Sequence, residues 1–291
     1  MNKKIQLKDL DGNVYPLTLD TCILKSNEGE IYQGQRISLS QCRCEYEEVA
    51  QLTRHIANGS MQGLLYHDNE LYQFYDGGGV DVYDSTTYEW KRSFTIPNMS
   101  SVHFGGVDWY NESTKILVTH NASNNSLYFV NISDEDSITV STVPTPDIPS
   151  DVIAHEGIVC CDTLNERIYL TGYTHATSNP SSERTGCVIY KINPVTGDAS
   201  KICEMRPFHL QDSKFYNGRI FYANDRTTAS GSGYNILRIV VVSPFYGIVS
   251  AITISGITGL EAEGICVASE SILITATANH NAARMWKVRA Q

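Results

Sequence analysis

Leu, Val and Ile never run together for the ~18 residues that a membrane-spanning helix needs, so membrane insertion is not expected. The opening "MNKKIQLKDLDGN" lacks the apolar core of a secretory signal, and a non-secreted, soluble product is expected. No CxxC pair occurs among the eight cysteines, Cys22, Cys42, Cys44, Cys160, Cys161, Cys187, Cys203 and Cys266. Zinc and disulfide frameworks usually show tighter spacing, and buried reduced thiols are expected instead. Cys160 and Cys161, adjacent in one strand, should face opposite sides. Basic residues are scarce as well: Lys and Arg number 22 against 32 Asp and Glu, a net charge of −10. Nucleic acid, which wants basic patches, is therefore not an expected partner. Without a signal, the sequons at Asn58, Asn98, Asn111, Asn121, Asn124 and Asn131 read as turn asparagines.

What the chain does have is repetition. "AHEGIVCCDTLNERIYLTGYTH" (154–175) has a cousin in "AEGICVASESILITATANH" (262–280), each a pair of β-rich runs around a polar turn. Further copies begin at Gly63 ("QGLLYHDNELYQFYDGG"), Gly106 ("GGVDWYNESTKILVTHN") and Ser213 ("DSKFYNGRIFYANDR"). With Gly157 and Gly264 these make five, at steps of 43, 51, 56 and 51 residues (106−63, 157−106, 213−157, 264−213). Each step is about the length of a four-stranded propeller blade. The chain of 291 residues, 42% hydrophobic, can bury the core that such a fold needs.

Every copy continues into a third and a fourth run except the last, which stops after "ARMWKVRA" (283–290). Its missing strand lies near the other end, because "YEEVAQLTRHIANGSMQGLLY" (46–66) parallels "YEWKRSFTIPNMSSVHFGGVDWY" (88–110). Residues 46–53 should therefore complete the last blade and protect its edge. The expected fold is all-β, a five-bladed β-propeller over 41–291 closed by an N-terminal strand, with residues 1–40 as a small β appendage.

Residues 1–40 stand outside the repeat, with turns at "DLDGN" and "SNEGEIYQ". From Lys4 to Ile37, "KIQLKDLDGNVYPLTLDTCIL" followed by "SNEGEI" resembles the N-terminal segment of tail-fibre and related virion proteins of phages and prophages of gut bacteria. The resemblance implies a virion location, attachment to other virion proteins through 1–40, and often a homotrimer. It carries over no catalytic residue. The plainer alternative is an appendage packed on the propeller.

In a propeller, residues just before the innermost strand and just after the second strand share one mouth of the central channel. Before the first strands stand Gln62, His103, His155 with Glu156, Asp212, and Glu261 with Glu263. After the second strands stand Tyr75 and Asp76, His120 and Asn121, Tyr173 and His175, Asn224 and Asp225, and Asn279 and His280. Polar groups around a concavity suit a ligand site, and His103, His120, His155, Glu156, Tyr173, His175, Asp212, Asp225, Glu263 and His280 are the candidates. The loops 174–186 and 225–233 leave the second strands on this face. The triple glycine in "YDGGGVDVYD" (75–84) reads as a tight turn, since no helix follows to cradle a phosphate.

Three readings of the mouth compete. Noncovalent recognition of a host-surface glycan or protein has Tyr75, Tyr173 and Trp109 stacking on sugars while the polar groups bind hydroxyls. Glycoside hydrolysis would take two of Glu156, Asp212, Glu261 and Glu263 as its carboxylate pair. A metal site would hold calcium through Asp and Glu, or a transition metal through His120, His175 and His280. The expectation is a tail or head fibre component that recognises a host-surface glycan or protein and needs no cofactor. A hydrolase and a purely structural virion protein are the alternatives.

Overall fold

Runs such as Glu70–Tyr75 and Ile116–Asn121, apolar and β-branched and bounded by Asn, Gly and Asp, form strands. The computed structural model describes residues 21–25, 31–35, 44–56, 59–121, 126–149, 152–175, 184–206, 208–226, 234–243, 248–268 and 271–290. The chain divides into two units, Met1–Arg43 with Ala290–Gln291 and Cys44–Arg289. In the first, β1 (Thr21–Lys25) and β2 (Ile31–Gln35) pair antiparallel across "SNEGE". The "DLDGN" turn lies outside the described residues.

The second unit is five antiparallel four-stranded sheets. Its first blade is β4 (Met61–His67), β5 (Glu70–Tyr75), β6 (Gly79–Asp84) and β7 (Trp90–Thr95). The second is β8 (Phe104–Asn111), β9 (Ile116–Asn121), β10 (Ser126–Asn131) and β11 (Thr139–Val143). The third is β12 (Val152–Asp162), β13 (Arg167–His175), β14 (Arg184–Ile192) and β15 (Ala199–Met205). The fourth is β16 (Leu210–Tyr216), β17 (Arg219–Asn224), β18 (Leu237–Ser243) and β19 (Ile248–Ile254). The fifth takes β20 (Glu261–Ala268), β21 (Ser271–Thr277) and β22 (Ala282–Ala290) from the end of the chain, and β3 (Cys44–Thr53) from near its start. The innermost strands touch around the whole ring, β4 to β8, β12, β16, β20 and back to β4. This is the five-bladed propeller that the repeat predicts, closed by the segment expected to close it.

Hairpin turns follow the local chemistry. Asp68 and Asn69, between β4 and β5, are both left-handed (φ 47° and 63°), as are Asn217 and Gly218 between β16 and β17 (φ 48° and 72°). A pair of left-handed residues gives the turn whose twist matches that of the flanking strands. In the triple glycine, Gly78 has φ 84°, and a Cβ there would meet Ile96 O at 2.8 Å, so the stretch is a tight turn.

The core lies between the blades. Apolar clusters fill each of the five interfaces, one example being Leu52, Leu64, Leu71, Tyr83, Cys266, Leu273 and Met285 between the last blade and the first. Both faces of a blade are thus buried, and runs such as "LRIVVVS" in β18 carry apolar residues on both sides. Cys160 packs toward the fourth blade and Cys161 toward the second, which are the opposite faces expected. Among the described residues the cysteines form no disulfide.

Candidate functional site

Each innermost strand breaks register with its neighbour near its start. The breaks fall between Met61 and Leu64, Phe104 and Val107, Ile153 and Ile158, Leu210 and Ser213, and Ala262 and Gly264. Four of the five blades thus carry the extra residue of a β-bulge, and the third carries a longer irregularity. The repeated Gly63, Gly106, Gly157, Ser213 and Gly264 all sit at these breaks. A Cβ on Gly63 would lie 2.2 Å from Val107 Cγ1, and one on Gly264 2.8 Å from Leu64 Cβ. Glycine lets neighbouring inner strands approach at the ring's centre.

A bulge frees backbone groups, and buried side chains take them up. Gln73 Nε2 donates to the carbonyls of Gln62 and Gly63 at 3.1 and 3.2 Å, and Thr119 Oγ1 to that of Gly106 at 3.0 Å. On the donor side one carboxylate serves four blades. Asp212, fully buried, accepts the N–H groups of Ser213 (2.8 Å), Ile265 (2.9 Å), Leu64 (3.2 Å) and Val107 (3.4 Å). Burial pushes its carboxyl up to about 6, while Lys214 and these amides hold it down. Next to it Asp108 accepts from Trp109 and Cys161, both at 2.9 Å, and lies 3.6 Å from Lys214 Nζ, which also donates to Val107 O. Asp212 therefore ties the inner strands together, and its oxygens face amides.

At the strand starts the register pairs are Met61 with Tyr75, Phe104 with Asn121, Ile153 with Tyr173, Leu210 with Asn224 and Glu261 with Thr277. The two sets of candidate residues thus share the same end of every blade. Within this end, Glu261, Glu263 and His280 converge, each offering a ligand atom within 4.8 Å of the others. His280 Nδ1 lies 2.9 Å from Glu263 Oε1, and its Nε2 lies 3.7 Å from Glu261 Oε2. His280 follows β21 in a left-handed conformation (φ 56°), its N–H held by Thr277 Oγ1 at 2.9 Å. Glu263 occupies the bulge of β20 and is 3% exposed; its Oε1 has no hydrogen-bond partner, since the close imidazole is not aligned with it. Burial first, then the charges of Glu261, Asp225, Asp76 and Asp212, holds its carboxyl well above the usual carboxylate range.

Asp225, fully buried after β17, borders this cluster. Its Oδ2 accepts from Ala262 N at 3.2 Å and from Gln211 Nε2 at 3.4 Å, and its Oδ1 lies 2.8 Å from His209 Nδ1. Gln211 Nε2 also donates to Glu261 Oε1 at 2.9 Å. Tyr234, half-buried, bonds Glu261 and lies under Arg226; burial and that bond push its phenol up to about 12. Between the first and second blades, His103 Nδ1 is 2.9 Å from Asp76 Oδ2, and the imidazole is half exposed.

Other candidates take different places. His120 is fully buried in β9, and His175 ends β13 half-buried. His155 and Glu156 fall within β12, where their side chains are outside the described residues, as are 176–183 and 227–233 of the two loops. The stacking surface is not where it was expected. Tyr75 and Tyr173 have no exposure and Trp109 5%, because these rings wedge between blades. Their polar tips go to Asp81, to Leu210 O and to Tyr66 O, leaving no face for a sugar. His209, Gln211 and Tyr234 were missed. His209 precedes β16 and Gln211 is its second residue, next to Asp212, so the rule that picked Asp212 covers both; Tyr234 follows a Gly/Ser-rich stretch of sequence and gives no signal.

No protein-family model matches the chain, and no curated protein matches it. Among solved structures, glutaminyl cyclase of Myxococcus xanthus is similar at a TM-score of 0.50 and 14% identity, over 84% of this chain and 96% of that one. The β-propeller domain of Swd1 from Myceliophteria thermophila is similar at a TM-score of 0.44 and 8% identity, over 83% of this chain and 99% of that one. At 14% identity the likeness to the cyclase is one of fold.

Proposed function

We propose that the chain is the recognition component of a phage fibre, of tail or head. Its propeller takes a host-surface glycan or protein at the mouth formed by Glu261, Glu263, Asp225 and His280. Residues 1–40 join it to other virion proteins; this part of the reading is supported by their resemblance to fibre segments. The observation that carries the mouth is Glu263, a buried carboxyl with an oxygen that has no hydrogen-bond partner. A buried polar atom left so costs about 1–3 kcal/mol, which a ligand N–H or O–H would recover. The surrounding negative charge favours amines and neutral hydroxyls over acidic sugars.

The test is capture of glycans and peptides on an array by the full chain and by Glu263→Gln. Saturable capture of amino or neutral sugars, or of basic peptides, weakened in the variant, is expected. Capture of nothing would leave only a structural role in the particle.

Hydrolysis keeps one supporting observation, the closeness of Glu261 to Glu263, whose carboxyl burial pushes up in the direction that a general acid needs. Asp212, bound to amides, takes no part in it. Sugar release by the wild type, abolished in Glu263→Gln while capture persists, would establish that reading in place of simple binding.

A further inference from the structure

We infer that Glu261, Glu263 and His280 bind one divalent first-row transition ion, of the zinc or manganese type, at the propeller mouth. The three donors come from two places in the last blade, the bulged start of β20 and the turn after β21, and lie within 4.8 Å of one another. Four donors on a tetrahedral ion with bonds of about 2 Å are ~3.3 Å apart, a spacing that rotations of Glu261 and His280, 21% and 33% exposed, can reach. Independently of the clustering, Glu263 is 3% exposed with an oxygen lacking any hydrogen-bond partner, and it faces the other two donors.

Among the described residues no Lys or Arg forms an ion pair with Glu261 or Glu263, and His280 is the basic side chain beside both. Gln211 Nε2, 2.9 Å from Glu261 Oε1, supports one donor from outside, as outer groups do in metal sites. The imidazole nitrogen decides the metal class: calcium takes oxygen ligands, whereas imidazole suits zinc and its neighbours. The reading of the mouth as a ligand site underlies the ion's role, which is to offer open positions to hydroxyl or carbonyl oxygens of the ligand.

The test uses the full-length chain, stripped with chelator and titrated calorimetrically with zinc, manganese and calcium chlorides, with metal content checked by mass spectrometry. One zinc or manganese ion per chain, a melting temperature raised by the ion, and affinity about 10-fold or more weaker in His280→Asn and Glu261→Gln are expected. Both variants change partly exposed side chains, so the test survives if Glu263→Gln fails to fold. No uptake, uptake equal in wild type and both variants, or uptake of calcium alone would overturn the site. Ion uptake without glycan capture would uphold it and remove recognition. Glycan capture indifferent to chelator and without ion uptake would do the reverse.

Discussion

Asp212 shows how one side chain can hold a ring together. Four backbone amides from four blades end on its carboxylate, so Asp212→Ala would strand several buried donors at once. A loss of about 3–5 kcal/mol in chemical unfolding is expected, and a loss under 1 kcal/mol would show that the tie is not needed. Nothing in the sequence marks this role, because the other copies of the repeat have different residues at the matching position and the convergence exists only in three dimensions. Glu70 offers a cleaner titration. Arg92, opposed by burial and helped by Lys91 and Tyr72, lowers its carboxyl to about 2, and the same Arg92 reaches Glu135 of the second blade. A folded value below the unfolded one means that the stabilisation is present above about pH 4.3 and fades as the pH falls toward 2. Wild type should exceed Glu70→Gln by about 1–2 kcal/mol at pH 7, after allowing for the partly exposed Arg92, and the gap should close by pH 2. A gap independent of pH would contradict the assignment.

Among elements, the bulged inner strand unites the repeat and the site. Alternation and spacing made strands and blades legible, since both arise from local sequence. The bulges were not, because strands buried on both faces carry too little alternation for one inserted residue to show as a break in its phase. Yet the glycines that betrayed the repeat are there for the bulges. Gly63→Ala would press its Cβ against Val107, whose amide Asp212 holds, and should cost about 1–3 kcal/mol. Unchanged stability in thermal melts would mean that the strands can part without loss. The aromatic rings were misassigned for a related reason. A strand buried on both faces gives no sequence sign of which ring lies between blades and which reaches the mouth. The carboxylates and His280 were legible because they stand at strand ends, where the repeat fixes their place.

For the whole molecule, closure by β3 converts an open array into a ring. Glu48 pairs with Arg284 through two contacts, Tyr83 Oη donates to Thr53 O at 2.7 Å, and Leu52 is buried between the last blade and the first. Leu52→Ala should cost about 2–5 kcal/mol, and removal of 44–53 should expose β22 and yield dimers or aggregates in light scattering. A stable monomer without that segment would mean that the ring is not held by its closing strand. Closure also sets the β20–β21–β22 blade beside the first, so that the two ends of the repeat meet. The most direct measurement is calorimetric titration of the strongest array ligand into the full chain and into Glu261→Gln/His280→Asn. Binding at least about 10-fold weaker in the variant, with an unchanged melting temperature for the ligand-free protein, is the expected result. Equal affinity in the two proteins would contradict recognition at the mouth.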